Sequence, residues 1–374
     1  VTRGFRLQAE ETRIRLVVRT PVHRLVLAVM VAGLLCQSPS PAVEQRAVQP
    51  GFAAQIADLS EPPGYFDTDN LISNERSYAD VLPDLERTRQ GGVYIGVGPD
   101  QNFSYIAVTR PATAFIVDVR RDNLLLHLLF KALFGAARTR ADYLALLCGR
   151  PVPAKLDDWK DAPIERLARY IDETPVDARR FEGVRADMDR KIAAFGVPLS
   201  PTDAATIDRF HRRFVEEGLS LRFQTFGRPP QSHYPTYREL LLAREPGGRP
   251  ANFLASEAAF QFVRELQARD AIVPVVGNLA GEHALAAIGR LLARRGERLS
   301  VVYASNVEQY LFRAGSFDRF ARNLTAIPHD DRTIIIRSVF GGWEGSTSQV
   351  RSIPEMLRAV SDGRVSGYRD LVIR

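Results

Sequence analysis

GGVYIGVGPDQNFSYIAVTRPATAFIVDVRRDN, residues 91–123, decides how the chain is read. Val93, Tyr94 and Ile95 are a β-prone run, and Gly96-Val97-Gly98 follows at once. Glycine has no Cβ, so such a turn can take positive φ and let a ligand approach the backbone closely. A helix expected to start near Asn102 would aim unpaired N–H groups at that turn. Ala114-Phe115-Ile116-Val117 then forms a second buried strand, ending on Asp118. Gly98 and Asp118 are 20 residues apart. At that spacing a carboxylate closing the second strand reaches a ribose hydroxyl of a nucleotide held by the glycine turn. An α/β turn that binds nothing is the other reading, because fold alone does not fix function.

Outward from this unit the chain alternates between strands and helices. AIVPVVGN (271–278), LSVVYASN (299–306) and TIIIRSVF (333–340) are β-branched runs, with LAGEHALAAIGRLLARRG and a helix from Val307 between them. Such runs point to parallel strands buried on both faces. The helix after Asp118 is apolar on nearly every side, as in a helix covered from several directions. Its His127 reads as a hydrogen-bonded core residue. Residues 151–225 change character to three amphipathic helices broken by Pro and Gly, read as a helical insertion between the second and third strands. A last helix near 352–361 and a terminal strand DLVIR would complete the sheet. The fold class is therefore α/β, a doubly wound, mostly parallel sheet with a helical insertion. Its expected organisation is a leader at 1–42, a linker at 43–63, half-domains at 64–150 and 226–374, and the insertion between them.

The net charge of +6 does not signal nucleic acid. Residues 1–42 hold six Arg and two Glu, which leaves +2 for the rest, with no basic run interleaved with aromatics. Arg19 and Arg24 precede LVLAVMVAGLLC, a 12-residue apolar run. That is short for a membrane-spanning helix and right for a signal-peptide core, with Ser40-Pro41-Ala42 as a cleavage site. An exported, periplasmic or secreted protein is expected. The chain meets a membrane only through this segment if it stays uncleaved, and is cytoplasmic if the start site is misassigned. Beyond it only Cys148 remains, so no internal disulfide is expected, and its apolar helical run makes it a core residue.

The carboxyl ends of the strands supply a polar set: Gly96, Gly98, Asp100, Asp118, Asn278, Glu282, Asn306, Glu308 and Gln309, with Arg337 and Ser338 as further candidates. Open α/β sheets bind ligands beyond those ends. Before the first strand, Asp67, Asp69, Asn70, Ser73, Asn74 and Glu75 are dense polar groups. They read as turns and caps, or as a lid whose contacts would be Asn74, Glu75 and Tyr78. Asp67 and Asp69 have no further ligand at a metal-binding spacing. No Ser-His-Asp order, Walker loop or HExxH motif is present.

YIGVGPDQNFSYIA…FIVDVRRDN (94–123) and VVYASNVEQYLF (301–312) resemble an uncharacterised bacterial family of unknown function. Its core is similar to the Rossmann-like class I S-adenosylmethionine (SAM)-dependent methyltransferases, and the likeness runs from about Gly64 to about Phe340. The resemblance implies SAM as cofactor, with Gly96 and Gly98 as the first two loop glycines, Asn102 at the helix start and Asp118 on the ribose. Asp100 stands where the third glycine would be; it would hold the methionine ammonium or signal that SAM no longer binds. Asn278 and Glu282 would suit the adenine side. Asn306, Glu308 and Tyr310 would suit the transfer side, with Glu308 as general base or merely as a carboxylate at a helix start. Two functions follow: methyl transfer to a small-molecule or polypeptide acceptor, or an exported protein that keeps the fold and binds a ligand or partner without catalysis.

Overall fold

The computed structural model describes residues 51–88, 91–228, 231, 234–341 and 345–372, all within one compact unit. Residues 1–42, read as the leader, and 43–50 of the span read as linker lie outside the described residues.

Six strands form one sheet: β1 Val93–Gly96, β2 Thr113–Asp118, β3 Ile272–Val276, β4 Leu299–Ser305, β5 His329–Phe340 and β6 Ser346–Ser352. Their order across the sheet is β3-β2-β1-β4-β5-β6. The first five run parallel, and β6 returns antiparallel along β5. Every residue of β1 and β3 is buried, as a parallel strand covered by helices on both faces requires. From β1 the chain builds to one side through β2 and β3, then crosses over to build the other side through β4 and β5. The order therefore reverses between β1 and β4, and a crevice opens beyond their carboxyl ends.

The helix Arg121–Ala136 buries 12 residues, Asn123 through Phe134. It is covered by β3, by the insertion helices Ala178–Ala194 and Pro201–Glu217, and by Glu257–Ala268. His127 within it is buried and bonds the Gly98 carbonyl at 2.9 Å. The third insertion helix starts on a capping box, in which Ser200 accepts from the Asp203 N–H and the Asp203 side chain accepts from the Ser200 N–H. Cys148 is fully buried.

Two stretches differ from the sequence reading. Phe52–Leu59, inside the span read as linker, is a helix that buries Phe52, Ile56 and Leu59 and packs on β3. The terminal stretch read as the strand DLVIR is the helix Tyr368–Val372 over its described part. Its β-branched residues suggested pairing, but the edge beside β5 is already taken by β6. That strand, STSQVRS, is mostly polar and half-exposed, so it carries little strand signal.

Candidate functional site

A cleft of about 460 Å³ lies beyond the carboxyl ends of β1, β2, β3 and β4. Gly98 and Pro99 form part of one wall, Val117 and Asp118 end β2, Gly277 and Asn278 follow β3, and Tyr303, Ser305 and Asn306 close β4. Residues 66–75 on one side and Phe223, Thr225, Arg228 and Tyr234 on the other cover it, joined by the antiparallel bridge Thr68–Thr225.

The glycine turn is built by Asn102. Its Nδ2 donates to the carbonyls of Pro99 at 2.7 Å, Val97 at 2.9 Å and Gly98 at 3.4 Å, while its Oδ1 accepts from the Tyr94 hydroxyl at 2.8 Å. A Cβ on Gly96 would stand 2.0 Å from that Oδ1, so only glycine fits there. Gly98 has φ +81°, which favours glycine for the other reason. Asn102 thus shapes the turn from behind and does not line the cleft.

Asp118 does line it, in a fixed pose. Its Oδ1 accepts from the Arg120 backbone N–H at 2.9 Å and from Nε at 3.1 Å, and its Oδ2 accepts from Nη2 at 2.8 Å. Nη1 of the same guanidinium donates to the carbonyls of Thr68 at 3.0 Å and Asp69 at 3.2 Å. Arg120 therefore locks the covering segment onto the end of β2. A carboxylate offers about four acceptor positions, and three are used here, so one stays open on Oδ2.

Asp100 is not in the cleft. It turns into the core, where its Oδ2 accepts from the Tyr237 hydroxyl at 2.9 Å. Burial pushes its carboxyl up to about 7, with the Tyr237 hydrogen bond acting against that rise. The Asp100 side chain therefore does not obstruct the turn.

Glu308 is also away from the cleft. Its carboxylate is fully buried in an ion pair with Arg337, 2.7 Å between Oε2 and Nε, and Arg337 Nη1 donates to the Leu371 carbonyl at 2.8 Å. Burial raises its carboxyl while Arg337 lowers it, and burial is the larger. The pair ties β5 to the helices Val307–Arg313 and Tyr368–Val372, which is a structural task and not that of a base facing an acceptor. Asn306 and Tyr310 do line the cleft, and Tyr310 meets Phe66 edge-on at 5.1 Å. Asn278 lines it too, whereas Glu282 is exposed outside it.

Of the lid residues, Asn74 and Glu75 line the cleft. Tyr78 does not: it is buried and donates to the Leu240 carbonyl at 2.8 Å. Glu75 is 1 % exposed, at the cleft floor. Its Oε2 accepts from the Tyr303 hydroxyl at 2.8 Å and from Gln101 Nε2 at 3.0 Å, and its Oε1 accepts from the Ser305 hydroxyl. Sequence reasoning missed these partners. Tyr303 and Ser305 are two apart on one strand and so share a face, a signal that was there to be read.

No curated protein matches the chain. Residues 70–151 and 223–356, more than half of the 374, match the domain of unknown function DUF7790. The interval between the two matched stretches, 152–222, holds the three insertion helices. The chain belongs to the DUF7790 family.

Proposed function

We propose that the cleft binds a nucleoside-bearing cofactor in a Rossmann-like, class I methyltransferase-like manner, with S-adenosylmethionine the first to test. One observation carries this reading. The cleft sits where the strand order reverses, with the positive-φ turn at Gly98 on one wall and the Asp118 carboxylate, one acceptor position open, at the end of the adjacent strand. The volume lies within the ~300–1,000 Å³ usual for small-molecule sites. Because Asp100 points inward, the cofactor would meet backbone at the turn, not a carboxylate.

When bound, SAM supplies an activated methyl group. The chain's own part would be positioning: Asp118 accepts from a ribose hydroxyl, the Gly98 backbone lets the cofactor come close, and Asn306 and Tyr310 orient an acceptor at the end of β4. Catalysis would rest on alignment. A second reading, ligand binding without methyl transfer, is favoured by the one carboxylate of the helix after β4, Glu308, being buried against Arg337. An exported location would fit that second reading better, because SAM is made in the cytosol.

Titration calorimetry of the full chain with SAM and S-adenosylhomocysteine tests the proposal. Micromolar binding that falls at least tenfold in Asp118→Asn supports it. A well-folded protein that takes up neither compound sinks it.

A further inference from the structure

Among the charged groups that line the cleft, most are neutralised within the protein. Arg120 is held by Asp118, and Arg228 by Asp67 at 3.5 Å. Glu75 differs: a buried carboxylate that accepts three hydrogen bonds, all from neutral donors, with no Lys, Arg or His partner among the described residues. Burying a carboxylate without a cation is costly, and neutral donors offset only part of that cost. The backbone is also committed here. Ser305, which donates to Glu75, has φ +50°, a left-handed conformation that a non-glycine residue adopts only under local constraint. Three of the roughly four acceptor positions of the carboxylate are filled, which leaves one.

The aromatic part of the lining suits a positive ligand. Phe66, Tyr234, Tyr303 and Tyr310 all contribute to the cleft, and aromatic rings attract cations through their faces, as the Arg313 guanidinium already sits 5.8 Å from the centre of the Tyr310 ring. Arg313, exposed at the rim, has no carboxylate partner among the described residues. Among the described residues, the two charges of the cleft left without an ionic partner are therefore an acid at the floor and a base at the rim.

We propose that Glu75 is the receptor for a cationic nitrogen, so that the molecule handled in this cleft alongside the cofactor is an amine. An acid group on the same molecule would find Arg313. The inference rests on reading the cleft as a ligand site, not on which nucleoside occupies it.

Matched pairs of cationic and neutral probes test it: butylamine against 1-butanol, and 2-phenylethylamine against 2-phenylethanol. Each is titrated into the full chain with and without saturating S-adenosylhomocysteine. The cationic member of a pair should bind at least tenfold tighter than its neutral partner, and Glu75→Gln should bring the two within twofold. The wild-type comparison needs no variant, so a Glu75→Gln protein that misfolds does not block the test. The inference is overturned by equal binding of the two members, by no binding of either cation, or by a cation preference that persists in Glu75→Gln. S-adenosylhomocysteine uptake without amine preference removes this inference alone. Amine preference without such uptake removes the nucleoside reading alone.

Discussion

Replacing Asn102 by Ala should be among the most damaging single substitutions in the glycine turn. The side chain gives two short hydrogen bonds, to Pro99 and Val97, a weak third to Gly98, and accepts one from Tyr94. Each well-formed bond contributes about 1 kcal/mol net, and the 3.4 Å contact little. Removing the side chain also leaves the Tyr94 hydroxyl buried without its acceptor, at about 1–3 kcal/mol. The total is about 4 kcal/mol. Urea unfolding followed by circular dichroism reads it as a shift in midpoint at unchanged slope. Asn102→Asp keeps an acceptor for Tyr94 but turns an acceptor toward three carbonyls, and should lose at least as much. A loss below about 1 kcal/mol for Asn102→Ala would refute the claim that this one side chain holds the turn.

Other expectations follow from the same geometry. Glu308→Ala should destabilise by about 3–5 kcal/mol, because it strands Arg337 in the core, and adding Arg337→Met should recover much of that loss in urea unfolding. The carboxyl of Asp100 is raised from 3.8 to about 7 on folding, so the native state holds a proton that the unfolded state has released. Its contribution to stability is full below pH 3.8 and falls by about 1.4 kcal/mol per pH unit as pH rises toward 7. Stability of Asp100→Asn relative to wild type should therefore rise across that window and level off above it. A difference independent of pH would contradict this. Burial pushes the Cys148 thiol up to about 12, so iodoacetamide should leave Cys148 unmodified in the native protein and label it in urea, as read by peptide mass spectrometry.

Much of the sheet was legible because fully buried parallel strands write themselves as β-branched runs. VYIG, TAFIVD and IVPVV needed little more than their composition. The cleft was legible in outline, since Gly98, Asp118, Asn278 and Asn306 all stand at strand ends and all line it. What sequence position could not give was direction. Asp100 and Glu308 sit beside the cleft in sequence but turn into the core, and the partners that hold them, Tyr237 and Arg337, lie 137 and 29 residues away. The hydrogen-bonding cradle of Glu75 was hidden for the same reason: its donors Gln101, Tyr303 and Ser305 are 26, 228 and 230 residues distant. Local signal also failed for β6, whose Ser, Thr, Gln and Arg residues gain their place from β5 and from Ser77, which meets Ser346 and Ser348 at 3.0 Å.

The most direct test of the central claim is a crystal structure of the chain grown with S-adenosylhomocysteine at saturating concentration. Density for the nucleoside is expected between the Gly98 turn and Asp118, with a ribose hydroxyl on Oδ2 and Arg120 still paired. Density for the compound elsewhere on the protein, or an empty cleft in well-ordered crystals, would contradict it.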